Sequence, residues 1–268
     1  MKLSLFNAMY KTNGKLIFGF AFGSFFYLWL IIWLYPTIAD LPAMDDILKS
    51  MPPEMLSAFG LTKGFGSIEA FIAGEFYGLL FIVILVIYSV MTSTSLVARL
   101  VDNGSMAYLL STGASRLKVI VTQMLVLVSG LLLISFLTFV SGITGTAYVI
   151  DGYTLDVSQF FQLNLVGFLL FYVICSYCFL VSSLVNDEKK ALGISAGISL
   201  VFYILDLAGK ISENVEWFRN FTVFSLFEPQ ELATGSIDIL IPALTLIVLG
   251  TLIFTIAALL FTKRDLPL

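Results

Sequence analysis

Few side chains in this sequence could do covalent chemistry. Histidine is absent from all 268 residues, which excludes haem ligation by His, two-His zinc peptidase motifs and any Ser-His-Asp relay. No GxxxxGK followed by Ser or Thr occurs, so any ATP used must be hydrolysed by another chain. Cys175 and Cys178 stand three apart within an apolar run. A disulfide is geometrically poor there, and a redox CxxC wants an exposed helix start, so they read as packing residues. No catalytic or metal-ligating residue is expected. The stretch that can still carry work is Arg99 to Arg116, polar and rich in small residues between two apolar runs. Its chemistry would be docking.

The elements that hold this stretch follow from composition. Hydrophobic residues make up 59% of the chain and charged residues 12%, against about 25% charged in a soluble domain. Apolar stretches over about Leu16–Tyr35, Ser67–Ala98, Lys118–Val149, Phe161–Val185, Ala191–Ala208 and Ile239–Phe261 are each long enough to cross a bilayer as a helix. The expectation is an all-α polytopic membrane protein, one domain over residues 1–268, with six transmembrane helices. An even number of spans puts both termini on one side. Segments on that side carry ten of the 14 Lys and Arg, while 14 of the 18 acids fall on the other. The termini are therefore expected in the cytoplasm and the acidic face outside. The acidic balance argues neither for nor against nucleic acid, and none is expected as a partner.

Around the spans, Leu3, Phe6, Met9 and Tyr10 share one helical face and Lys11 and Lys15 lie on the other. This predicts an N-terminal interfacial helix, or else a basic tail, with a turn at Asn13-Gly14. Short helices are expected over 45–51 and 53–59, and Ser67 is placed to cap span two. Before span six, Trp217, Phe218, Phe221 and Phe224 fall on a broad helical face beside Glu213 and Glu216. They predict interfacial helices forming an outer gate or lid, or an ordinary aromatic belt. Gly19 with Gly23 and Gly193 with Gly197 are spaced for close helix packing. Thr92 to Ser95 can return hydrogen bonds to their helix or line a vestibule, and Asp206 reads as a helix-end residue rather than a proton relay.

In the loop itself, Asp102 or Asn103 can cap a helix of about two turns. Met106, Leu109 and Leu110 follow at helical spacing, Gly113 can stop it, and Ser115 can cap span three. So short a helix needs something to hold its apolar face, either the ends of spans two and three or a partner's groove.

With Asp102, Gly104-Ser105, Leu109-Leu110, Ser111 and Ser115-Arg116, the loop resembles the first coupling helix of type-2 ATP-binding-cassette (ABC) permeases. Met51-Pro-Pro-Glu-Met-Leu-Ser-Ala-Phe-Gly60 is similar to the run before span two in that family, and Phe261-Thr-Lys-Arg-Asp265 to its usual finish. Val101 or Asp102 stands where the family has Glu, Gly113 where Pro is frequent, and Gln123 where Lys is common, which puts family ion pairs in doubt. The resemblance implies a permease subunit of an ATP-driven exporter in the bacterial plasma membrane. It also implies two copies of a cytoplasmic ABC ATPase that carry the ATP and magnesium, and a second permease chain, identical or related. Asp102, Asn103, Gly104, Ser105, Met106, Leu109, Leu110, Ser115 and Arg116 would form the coupling contact. The competing reading is a membrane scaffold or immunity protein that binds a peptide, toxin or sensor at its outer face.

Overall fold

The structure is a computed structural model, which describes residues 3–39, 50–52, 55–56, 67–150 and 155–265. It is predominantly helical, without strands among the described residues, and six helices are long and apolar enough to cross a membrane. They are α1 (Leu3–Ala39), α2 (Ile68–Asp102), α4 (Arg116–Val149), α5 (Val157–Leu184), α6 (Glu188–Ile211) and α8 (Leu240–Lys263). Two short helices, α3 (Ser105–Ser111) and α7 (Pro229–Ala233), lie in the connections. α5 is the most enclosed span and α6 the least. The short helices expected over 45–51 and 53–59 lie largely outside the described residues.

The first span departs from expectation. α1 runs unbroken for 37 residues, and Asn13-Gly14 makes no turn. Asn13 is consumed by the helix and its neighbour: its Nδ2 donates to the Met9 carbonyl at 3.0 Å, and its Oδ1 accepts from Ser95 Oγ at 2.8 Å. Phe6, Met9 and Tyr10 then pack against the core, and no separate N-terminal helix forms. A part-buried tertiary hydrogen bond has overridden a weak local turn preference.

α2 begins as expected, with Ser67 Oγ accepting from the Ala70 N–H at 3.2 Å. It then widens into a π-helical stretch, Ala73–Leu80, and breaks again at Val97 before Ala98–Asp102. The π stretch sets Phe76, Tyr77 and Phe81 into the interior, where the Tyr77 hydroxyl donates to Asn164 Oδ1 at 2.9 Å. Of the hydroxyl run, Ser95 serves Asn13, while Thr92, Ser93 and Thr94 are buried among the helices.

Lipid tails are as apolar as the side chains, so helices hold together through close packing and hydrogen bonds. Ser24 and Thr138 hydroxyls meet at 2.7 Å and Ser141 Oγ donates to the Phe25 carbonyl at 2.7 Å, joining α1 to α4. The Tyr88 hydroxyl donates to the Leu127 carbonyl at 2.7 Å, and Tyr177 meets Ser199 at 2.7 Å. Close approach falls at glycines other than those expected. A Cβ on Gly130 would run into the Tyr88 hydroxyl, one on Gly142 into Phe160, one on Gly167 into Phe81 and one on Gly250 into Tyr172. Gly19, Gly23, Gly193 and Gly197 have no atom within 4 Å of such a Cβ and sit on exposed faces, so they pack no helix of their own chain. Spacing marks a smooth stripe without saying which helix lies against it.

Candidate functional sites at the two ends of the bundle

At the end that carries both termini, chain turns between spans converge. Asn103 Oδ1 accepts from the Ser105 N–H at 3.0 Å, and Gly104 takes φ +73°, which a side chain would resist, to start α3. Gly113, at φ +74°, ends it, and Ser115 Oγ caps α4 by accepting from the Lys118 N–H at 3.3 Å. The sequence places Asp102 as a possible cap of α3. Instead its Oδ2 accepts from the Glu188 N–H at 3.1 Å, at the start of α6 where a negative charge is favourable, beside the cap proper, Asp187, which accepts from the Lys190 N–H at 2.7 Å. Arg99 stands 3.9 Å from Glu188. The entry to the loop is thus tied to the start of the fifth span.

α3 is held by its own chain. Met106 is fully buried, and Leu109 and Leu110 are half-buried against the core. The helix therefore exposes another face, led by Tyr108 at 78% exposure with Ser111 and Thr112 beside it. Sequence spacing marked Met106, Leu109 and Leu110 as the apolar face but missed Tyr108, which becomes prominent only once those three turn inward. Arg116 is likewise drawn inward: its Nη1 donates to the Arg264 carbonyl at 2.6 Å and more weakly to that of Thr262 at 3.4 Å. Arg264 in turn donates to the Ser183 carbonyl, and Phe261 is fully buried. Arg116 and the Phe-x-x-Arg-Asp finish therefore clamp the last span to the third and fourth.

At the opposite end, the connection between α6 and α7 forms two 3-10 segments, Glu213–Phe221 and Val223–Leu226. The single aromatic face expected there is broken by extended Thr222, whose Oγ1 accepts from the Phe224 N–H at 3.2 Å. Phe224 consequently turns inward onto Tyr203, at 2% exposure. Phe218 is half-buried, while Trp217 and Phe221 remain outside, their ring centres 5.8 Å apart.

The same turn builds a charge cage that sequence reasoning missed. Asp206 is 4% exposed rather than a free helix end. Its Oδ2 lies 2.8 Å from Lys210 Nζ and its Oδ1 3.3 Å from Arg219 Nε. Glu228 pairs with Lys210 at 3.5 Å and with Arg219. Gly209 makes this possible, since a Cβ there would meet the Arg219 stem that crosses α6. Burial pushes the Glu228 carboxyl above the usual carboxylate range, although Lys210 and Arg219 pull it back, and Asp206 and Glu231 add to the rise. On Arg219 the balance falls the other way: burial disfavours its charge, but Glu228 and Asp206 outweigh that and raise it. The signal in the sequence was the Asp206/Lys210 spacing at a span end. Beside the cage opens a cavity of about 730 Å³, reaching from Glu213, Glu216 and Glu231 down to Ala73, Gly78 and Ile82 of α2.

A family model described as ABC-2 family transporter protein matches residues 27–266, which take in both ends of the bundle. The chain belongs to the ABC-2 transporter family. No curated protein matches its sequence. As an ABC-2 protein it is a multi-pass membrane subunit and a permease of an ABC transporter, of a family that works in association with an ATPase subunit.

Proposed function

We propose that this ABC-2 chain is the membrane-spanning half of an ATP-driven exporter in a bacterial plasma membrane, with both termini cytoplasmic. α3 would seat in a groove of the ABC ATPase. Two ATPase copies, carrying ATP and magnesium, would serve two permease chains, identical or related. The observation that carries this reading is the build of α3: Met106 anchors it, Asp102 and Arg99 link its approach to α6, and Tyr108 is presented. A push on Tyr108 would then reach α6 at Glu188, and α6 would carry it to the cage at Asp206 and Lys210. Among the other expected coupling residues, Asn103, Gly104 and Ser105 shape the start of α3 and Ser115 starts α4. Leu109 and Leu110 give α3 its second line of contact within the chain. Gly19, Gly23, Gly193 and Gly197 stay open on α1 and α6, available to a second permease chain. Trp217 and Phe221, with Phe218 behind them, would flank the exit, while Phe224 supports the floor behind.

Orientation is the test, because coupling requires α3 to face ATP. In a background with Cys175 and Cys178 replaced, single cysteines at Ser105 and Asp187 should resist an impermeant thiol reagent in intact cells. Those at Glu213 and Ser236 should react. The reverse pattern would put α3 outside the cell and end the proposal. The bias of basic residues toward the α3 side supports the expected result.

A further inference from the structure

The cavity is walled on one side by the charge cage of Asp206, Lys210, Arg219 and Glu228. About 730 Å³ is within the range of small-molecule pockets. It exists because the π-helical stretch presents Ala73 and Gly78 toward it, and because the connection arches over α6 from Ser212 onward. Its apolar lining comes from half-buried Tyr203 and Leu207 and, with little surface of their own, from Ile82, Phe224 and Phe227. Its charges divide into two kinds. Lys210 and Arg219 are each engaged by both Asp206 and Glu228, so that the four form a closed, neutral set. Glu213, Glu216 and Glu231 are exposed at the rim without an ion pair to either cation. An anion entering here would have to break existing pairs and pass three carboxylates. A cation would meet carboxylates whose charge is uncommitted, and its apolar body would find the Tyr203 ring and Leu207.

We infer that this cavity is a binding site for an organic cation with an apolar body, entered from the face opposite the termini. The rim acids draw the charge, Tyr203 and Leu207 take the apolar part, and the cage fixes the shape of the wall. Binding needs neither the ATPase nor transport, so the inference stands apart from the export reading.

Tetraphenylphosphonium and tetraphenylborate, nearly identical in shape and opposite in charge, form the probe pair. Equilibrium dialysis against the full chain in an uncharged detergent should show saturable binding of tetraphenylphosphonium and none of tetraphenylborate. The triple variant Glu213→Gln, Glu216→Gln and Glu231→Gln, all at exposed positions, should weaken the cation about tenfold, each rim charge contributing about two- to threefold. Ile82→Trp, which grows into the cavity from α2, should abolish saturation. If that variant unfolds, Gly78→Ala reads the same wall more gently and should weaken binding. Equal binding of both probes, absence of saturable cation binding, or a triple variant with unchanged affinity would each overturn the inference.

Discussion

Replacing Tyr108 with Asp should cut ATPase turnover in the assembled transporter by at least about tenfold while leaving insertion and the yield of the permease unchanged. The side chain is 78% exposed and touches little of its own chain, so the substitution spares the fold. In a partner's groove the same ring would be the one large aromatic that α3 offers. Truncating an interfacial aromatic anchor costs about 2 kcal/mol or more, roughly thirtyfold in affinity, and an Asp adds the cost of desolvating a charge. Phe at this position should keep most of the activity. Changing Leu109 and Leu110 together to Asp is a poorer test, because both lean on the core and the fold would suffer with the contact. ATPase rates for Tyr108→Asp equal to those of the unaltered complex would remove α3 from the coupling path.

The second large effect is expected at the opposite end. Asp206→Ala strips Lys210 and Arg219 of the most deeply buried member of their cage. Breaking a fully buried pair costs about 3 to 5 kcal/mol. The side chains of Lys210 and Arg219 are 21% and 25% exposed, so water recovers part of the loss and about 2 to 3 kcal/mol is the scale to expect. Thermal unfolding of the purified chain should shift downward by several degrees. The double variant Asp206→Ala with Lys210→Met should be more stable than the sum of its singles, since it leaves one cation, Arg219, facing one carboxylate, Glu228, and so restores the neutrality of the cage. Glu231→Gln, at the exposed rim, should stay within about 0.5 kcal/mol of the parent. An Asp206→Ala protein that unfolds with the parent would show that the cage holds nothing together.

Much of the architecture was legible because bilayer thickness imposes it. Apolar runs of the right length, Ser67 and Ser115 at helix starts and Gly113 at a helix end act locally, and local rules read them. What escaped depends on partners distant in sequence. Asn13-Gly14 looks like a turn until Ser95 supplies the hydrogen bond that keeps Asn13 helical. Gly130, Gly142, Gly167 and Gly250 show no common spacing, because each faces a different large side chain. Phe224 shares a projected helical face with Trp217, but one extended residue at Thr222 separates them. The cage draws Asp206, Lys210, Arg219 and Glu228 from three elements, and only the arch of the connection brings them together. The loop from Asp102 to Arg116 was recognisable by composition, but its division of labour was not. Asp102 and Arg116 bind neighbouring spans, and Tyr108 is left to face outward.

A photo-crosslinking amino acid at position 108 in native membranes shows whether the ATPase takes hold of α3. Light should produce an adduct between this chain and a protein that contains GxxxxGK followed by Ser or Thr, and the same group at Trp217 should give no such adduct. An adduct with that ATPase from position 217 and none from 108, or adducts at 108 with lipid alone, would mean that the ATPase does not dock on α3.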